Sequence, residues 1–171
     1  MRVVAGHLRG RRIDAPPGSD TRPTTDRVRE AIFNALGSLG ILEDAVVADL
    51  FAGSGALGIE ALSRGADRCT FVERDRSALK VLGGNLAALG LDDRSRVVAG
   101  DALLAAGTDA DIVIADPPYT FDEWDRLLSA VTAPFLVAEA DHVIEPVEGW
   151  TVTRSKRYGR TWVTFLERDI L

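Results

Sequence analysis

Between residues 45 and 131, short and almost uninterrupted apolar runs alternate with longer stretches in which apolar side chains return every three or four positions. The runs "AVVADLF" (45–51), "CTFVE" (69–73), "RVVAG" (96–100) and "DIVIAD" (111–116) read as strands buried on both faces. The stretches between them predict helices over 56–64, 75–89 and 122–131, with a short helical turn near 102–106. Strands alternating with helices make a mostly parallel sheet covered on both sides, a doubly wound α/β fold. Further on the pattern changes. "HVIEP" (142–146), "WTVTRSK" (150–156) and "RTWVTFLE" (160–167) read as strands joined by turns, the last two with a two-residue period around Tyr158-Gly159. A seven-stranded sheet ending in an antiparallel hairpin is expected.

Upstream, Val28, Ala31, Ile32, Ala35, Leu36 and Leu39 recur at helical spacing, so 25–39 predicts an amphipathic helix capped by Thr24 or Thr25 and ended by Gly40. Before it, "MRVVAGHLRGRRIDAPPG" reads as a basic hairpin of two short strands around Gly6 to Gly10, with little apolar material to bury. The organisation expected is a small basic unit over 1–40 packed on a main domain over 41–171. Gly83-Gly84 inside the helix carrying Leu79, Leu82, Leu86 and Leu89 oppose helix propensity by about 1 kcal/mol each. Nothing in the sequence accounts for them.

A chain of 171 residues, 46% of them hydrophobic, supports one well-buried core. No run approaches the ~18 apolar residues of a spanning helix, and the start lacks the apolar stretch of a secretory signal. A soluble, cytoplasmic monomer without membrane contact is expected. Cys69 is the single cysteine, and His7 and His142 are isolated, so no metal is expected. The formal charge of −6 argues against nucleic acid as a partner until its distribution is considered. Residues 1–29 hold seven arginines against three aspartates, a net +4, which leaves −10 for the remainder. A second basic stretch, "RSKRYGR", places Arg154, Lys156, Arg157 and Arg160 near the C-terminus.

Candidate chemistry begins with "DLFAGSGALGIEALSRGA" (49–66), where Gly53, Gly55 and Gly58 form G-x-G-x-x-G between a strand and a helix. In such sheets ligands bind beyond the carboxyl ends of the strands. Gly53 and Gly55 let the backbone approach a ligand, and Gly58 lets the helix pack closely on the sheet. Glu73, twenty residues after Gly53, can accept both hydroxyls of a ribose. That much fits NAD equally well. Asp49 just before the turn would repel a pyrophosphate and attract an ammonium, which favours S-adenosylmethionine, a cation without phosphate. Asp101, ending the third strand, can accept from an adenine amino group or cap the helical turn behind it.

Asp116-Pro117-Pro118-Tyr119 ends the fourth strand beside the same crevice. Two prolines stiffen the loop and remove two N–H groups, leaving carbonyl acceptors in a fixed frame. The Asp116 carboxylate and the Pro117 carbonyl can each accept one N–H of an exocyclic amine and aim its lone pair at a methyl donor, while Tyr119 stacks on the base. With a reference pKa of about 3.9, an aspartate is too weak a base to deprotonate an aryl amine beforehand. Alignment is the main contribution. A base paired in a duplex must first be flipped or unpaired.

"RPTTDRVREAIFNAL", "DLFAGSGALGIEALSRGA", "VERD" and "DPPY", in this order and with the "AGHLRGRR" arm, resemble the bacterial RsmD-type methyltransferases, within the class I S-adenosylmethionine-dependent superfamily. The resemblance covers almost the whole chain, departing where the family usually carries a longer side chain than Gly83. It implies methyl transfer to the exocyclic N2 of a guanine in 16S rRNA of the small ribosomal subunit. It further implies that Asp49, Ala52, Gly53, Gly55, Glu73, Arg74, Asp101 and Ala102 bind S-adenosylmethionine, with Thr24 and Arg27 near its methionine end. Asp116, Pro117, Pro118 and Tyr119 would form the catalytic loop. Arg2, Arg9, Arg11, Arg12 and Arg22 would then grip RNA phosphates, and Arg154, Lys156, Arg157 and Arg160 would form the opposite rim. Three competing readings remain open on the residues: an adenine-N6 methyltransferase acting on DNA or RNA, an NAD-dependent oxidoreductase, and a non-catalytic RNA-binding module.

Overall fold

The computed structural model describes residues 1–17 and 25–170. Its elements run α1 (Asp26–Ser38), β1 (Val46–Leu50), α2 (Ala56–Ser63), β2 (Arg68–Glu73), α3 (Arg76–Ala88), β3 (Ser95–Ala99), α4 (Ala102–Ala105), β4 (Ile112–Ala115), α5 (Trp124–Ala130), β5 (Phe135–Ala140), β6 (Trp150–Tyr158) and β7 (Thr161–Arg168). The strands form one seven-stranded sheet in the order β3-β2-β1-β4-β5-β7-β6. The first five are parallel; β7 runs antiparallel to β5, and β6 antiparallel to β7. Winding reverses between β1 and β4, and a crevice opens at such a reversal beyond the carboxyl ends of the strands. No described helix is long and apolar enough to cross a membrane.

Two apolar layers sandwich the sheet. On one face Ile32 and Phe33 of α1, Leu62 of α2 and Leu82 and Leu86 of α3 pack over Val47, Phe71, Ile114 and Val163. On the other, Leu103 of α4 and Leu127 and Leu128 of α5 pack over Leu50, Val113, Leu136 and Leu166. Helix starts follow the sequence closely: the Thr25 hydroxyl accepts from Val28 N–H at 3.2 Å, and the Asp75 carboxylate accepts from Ala78 N–H at 2.8 Å.

The fifth strand differs from the expectation. It is Phe135–Ala140, whereas "HVIEP" is irregular and carries Ile144 into the core beneath α5. Phe135–Ala140 lies between β4 and β7 and is covered on both faces, so its sequence shows no alternation. At the sheet edge, β6 has a bulge between Val152 and Arg154. Val152 pairs with Leu166 of the α5-side core, and Arg154 pairs with Phe165 of the α1-side core, so the extra residue, Thr153, exchanges the faces of β6 at mid-strand.

The N-terminal arm also differs. It has a single antiparallel bridge, Arg2 to Arg12, in place of two strands, and it buries Val3, Leu8 and Ile13 in the α1-side core. Turns occupy the residues between, and side chains of α2 take the backbone groups a second strand would have taken. Val4 and Ala5 N–H donate to the Glu60 carboxylate at 2.9 and 3.0 Å, and Leu8 N–H donates to the Ser63 hydroxyl at 3.0 Å. The approach is close enough that a Cβ on Gly6 would lie 2.0 Å from the Ser63 carbonyl oxygen. Glu60 is also 3.5 Å from Arg29 Nε and 2.9 Å from Arg64 Nε. Arg29, counted above among the basic arm residues, is fully buried in this cluster and offers no charge to a partner.

Candidate functional site

The glycine turn is positioned by the two strands beside it. Leu50 pairs with Val72 of β2 and with Ala115 of β4, so Phe51 and Asp116 leave the sheet side by side. Ala52 N–H then donates to the Val72 carbonyl at 2.9 Å, and Gly55 N–H to the Ala52 carbonyl at 2.8 Å, which folds the chain back over β2. Phe51 takes a left-handed conformation, φ 61°, uncommon for a residue with a side chain. Its ring meets Phe121 edge-on at 5.1 Å, and Phe121 meets Trp124 edge-on at 5.3 Å. This aromatic file ties the glycine turn to the loop after β4 and offsets the local strain.

The glycines differ in what requires them. A Cβ on Gly53 would meet no atom of the described residues within 4 Å. On Gly55 a Cβ would sit 2.5 Å from Leu82, and on Gly58 it would sit 2.3 Å from Phe71. Gly55 and Gly58 therefore serve the packing of the turn and α2 on α3 and β2, while Gly53, at φ 57°, is required by its left-handed backbone.

Carboxylates stand at successive strand ends. Glu73 accepts from Gly53 N–H at 2.9 Å through Oε1 and from Arg74 and Asp75 N–H at 2.8 Å through Oε2, bridging the glycine turn and the start of α3. One step across the sheet, Glu73 pairs with Ala99, and the Asp101 carboxylate accepts from Leu103 N–H at 2.8 Å, which realises its capping role. Asp101 is exposed and Ala102 behind it is buried. Asp49, 1% exposed, accepts from Gly58 N–H at 2.9 Å through Oδ2, while its buried Oδ1 has no hydrogen-bond partner among the described residues. Burial pushes its pKa well above the usual carboxylate range; Asp116 and Glu73 add to the shift, and the Gly58 N–H opposes it. A buried carboxylate with one oxygen unmatched among the described residues is neutral when protonated and, when ionised, is stabilised by a cation.

After β4, Asp116 is half-buried, Pro117 buried, Pro118 exposed and Tyr119 half-buried. Phe121 N–H donates to the Pro118 carbonyl at 2.9 Å, closing the loop as a turn. The Tyr119 hydroxyl lies 3.1 Å from the Thr161 hydroxyl of β7. Beside the loop is a cavity of about 450 Å³ whose wall includes Tyr119, Phe121, Trp124, His142 and Ile144. A larger one, about 670 Å³, lies between α1, Leu42, Glu43 and Arg64, before the amino end of β1 and away from the carboxylates. The smaller cavity shares Tyr119 with the loop after β4, and neither cavity is lined by Asp49, Glu73, Asp101 or Asp116. The sequence does not mark Phe51 or Thr161, although the aromatic spacing of "PPYTFDEW" carries a signal for Phe121 and Trp124.

The basic residues form two groups. On the arm, Arg2, Arg9, Arg11 and Arg12 are exposed. Arg2 donates to the Gly10 carbonyl at 2.8 Å, Arg11 donates to the Ala88 carbonyl at 2.9 Å, and Arg12 pairs with Asp14 at 2.8 Å. On the hairpin, Arg154, Lys156, Arg157 and Arg160 are exposed, and Lys156 lies 5.3 Å from the Tyr158 ring centroid. Arg27 stacks on the same ring at 5.8 Å, so the start of α1 meets the hairpin tip near Tyr119. Arg22 and Thr24 lie outside the described residues.

A family model described as "Conserved hypothetical protein 95" matches residues 1–167. The Escherichia coli (strain K12) protein "Ribosomal RNA small subunit methyltransferase D" is 46% identical over 122 residues, 70% of this chain and 60% of that protein. The Haemophilus influenzae protein of the same name is 31% identical, covering 93% of this chain and 89% of that one. Among solved structures, "Putative methyltransferase yhhF from Escherichia coli" superposes with a TM-score of 0.86 at 35% identity, over 99% of this chain and 98% of that one.

Proposed function

The chain belongs to the Conserved hypothetical protein 95 family, and on that footing we propose that it transfers a methyl group from S-adenosylmethionine to the exocyclic N2 of a guanine in 16S rRNA. The substrate is the free RNA or the small subunit being assembled around it, which places the work in the cytoplasm. The observation that carries the reading is the meeting of Asp49, with its unmatched buried oxygen, and the Asp116-Pro117-Pro118-Tyr119 loop at one reversal of the sheet.

S-adenosylmethionine supplies an activated methyl on a sulfonium centre. The protein's part is to hold and aim. Asp49 presents negative charge to the ammonium, Glu73 accepts the ribose hydroxyls, and Asp101 with Ala102 meets the adenine edge beyond β3. Gly53, whose Cβ would meet no described residue within 4 Å, keeps the passage clear. Arg74, directly after Glu73, and Arg27, at the start of α1, are assigned to the cofactor as well. On the other side, the Asp116 carboxylate and the Pro117 carbonyl accept the two N–H bonds of the guanine amine and direct its lone pair at the methyl. Tyr119 stacks on the base. The methylated nitrogen is cationic and loses its proton to an Asp116 oxygen or to water. Exposed arginines of the arm and of the hairpin would hold phosphates of an unpaired RNA segment.

The test is to incubate the protein and labelled S-adenosylmethionine separately with free 16S RNA, small subunits and DNA, then digest to nucleosides and identify the product by mass. N2-methylguanosine in the ribosomal RNA is expected. A 6-methyladenine product, or label in DNA alone, overturns the reading.

A further inference from the structure

Thr161 opens β7 and is 6% exposed, yet its hydroxyl does not serve the sheet ladder. It faces the hydroxyl of Tyr119, 42 residues earlier in the chain, at 3.1 Å. Its own place is closely fixed. Thr161 pairs with Tyr158 across the two-residue turn Gly159-Arg160, and the Tyr158 ring centroid lies 5.8 Å from the guanidinium of Arg27 of α1 and 5.3 Å from Lys156 of its own strand. The hairpin tip is therefore pinned from α1 and reaches the end of the tyrosine ring in the loop after β4.

A tyrosine ring has two soft torsions, and a hydrogen bond at its far end restrains both at once. Stacking on a base depends on where the ring plane lies, and an in-line displacement depends on where the base amine then points. We infer that Thr161 is a positioning residue for methyl transfer, acting through the Tyr119 hydroxyl to hold the ring that supports the target base. This rests on the reading of Asp116 to Tyr119 as the catalytic loop. It assigns the last two strands a part in the reaction besides closing the sheet.

The experiment measures label transfer from S-adenosylmethionine to small-subunit RNA for the parent protein, Thr161→Val, Thr161→Ser, Tyr119→Phe and the double variant Thr161→Val/Tyr119→Phe. Valine keeps the shape and loses the hydroxyl; serine keeps the hydroxyl. We expect kcat to fall roughly three- to tenfold in Thr161→Val and in Tyr119→Phe, the range one lost hydrogen bond supports. The KM for S-adenosylmethionine stays at the parent value, Thr161→Ser restores kcat, and the double variant is no worse than either single one. Losses that multiply in the double variant, a Thr161→Ser as slow as Thr161→Val, or parent kcat in Thr161→Val would each overturn the inference. Should Thr161→Val melt early, Tyr119→Phe tests the same bond from the half-buried loop, and parent kcat there overturns it too. A parent protein that transfers no label to the RNA refutes the function itself, and so is told apart from a failure confined to Thr161.

Discussion

The side-chain amide of Asn85, buried on α3, donates to the backbone carbonyl of Ser54 in the glycine turn at 2.9 Å. The same side chain accepts from Asp14 N–H and donates to Asp14 C=O, both at 2.9 Å, so one residue holds the end of the basic arm against the glycine turn. Replacing Asn85 with alanine leaves the Ser54 carbonyl and both Asp14 backbone groups without these partners. A loss of about 2–4 kcal/mol in urea-unfolding stability is expected, together with weaker S-adenosylhomocysteine binding by calorimetry as the turn loosens. Parent affinity in a folded Asn85→Ala protein would mean that the turn keeps its shape unaided.

Asp116→Ala removes an acceptor for the target amine and leaves the glycine turn, Glu73 and Asp101 in place. Turnover should drop by about two orders of magnitude or more, while S-adenosylhomocysteine affinity stays close to the parent value. Equal turnover in variant and parent would refute the alignment mechanism.

Asp49 ties cofactor binding and stability to pH in opposite directions. Its pKa is raised in the folded protein, so the proton it takes up favours folding. That contribution is complete below the pKa of an unfolded aspartate, about 3.9, and is lost as pH rises through the higher folded value. An ammonium selects the ionised carboxylate, so affinity for S-adenosylhomocysteine should climb with pH across the same interval. Asp49→Asn should flatten both profiles and weaken binding roughly ten- to a hundredfold, the worth of a charge-assisted contact. Calorimetry and thermal melts over a pH series measure the two slopes.

Gly83 and Gly84 lie on the outer face of α3, where a Cβ would meet no described residue within 4 Å. With no packing reason for glycine, Gly83→Ala and Gly84→Ala should each stabilise by about 1 kcal/mol. Together they should raise the Tm by about 4–8 °C.

What the sequence disclosed was local, and what it hid was mostly contact across long separations. Thr25, Gly53, Glu73 and Asp116 sit at element ends that their neighbours announce, and the reversal between β1 and β4 follows from the strand–helix alternation. Phe135–Ala140 leaves no signature in the sequence because a strand covered on both faces has no period, while "HVIEP" resembles a strand although Ile144 alone goes inward. The arm looked too polar to pack because only Val3, Leu8 and Ile13 are buried, and its other anchors, Glu60, Ser63 and Asn85, come some 55 to 71 residues later. Arg29 is indistinguishable from its solvated neighbours until Glu60 is seen beside it. For Thr161, nothing nearby in the chain mentions Tyr119.

The unpaired Thr153 of β6 gives one strand two addresses. Trp150, upstream, donates its indole N–H to the Leu128 carbonyl at 2.9 Å on the α5 side, and Lys156 and Tyr158, downstream, turn toward α1. Excising that threonine would leave the ladder able to close but force a choice, since one uninterrupted pleat cannot keep the tryptophan indoors and also send the lysine to the opposite side. An insertion or deletion here is therefore never a neutral change of length, because it decides which of the protein's two sides Lys156 and Tyr158 face.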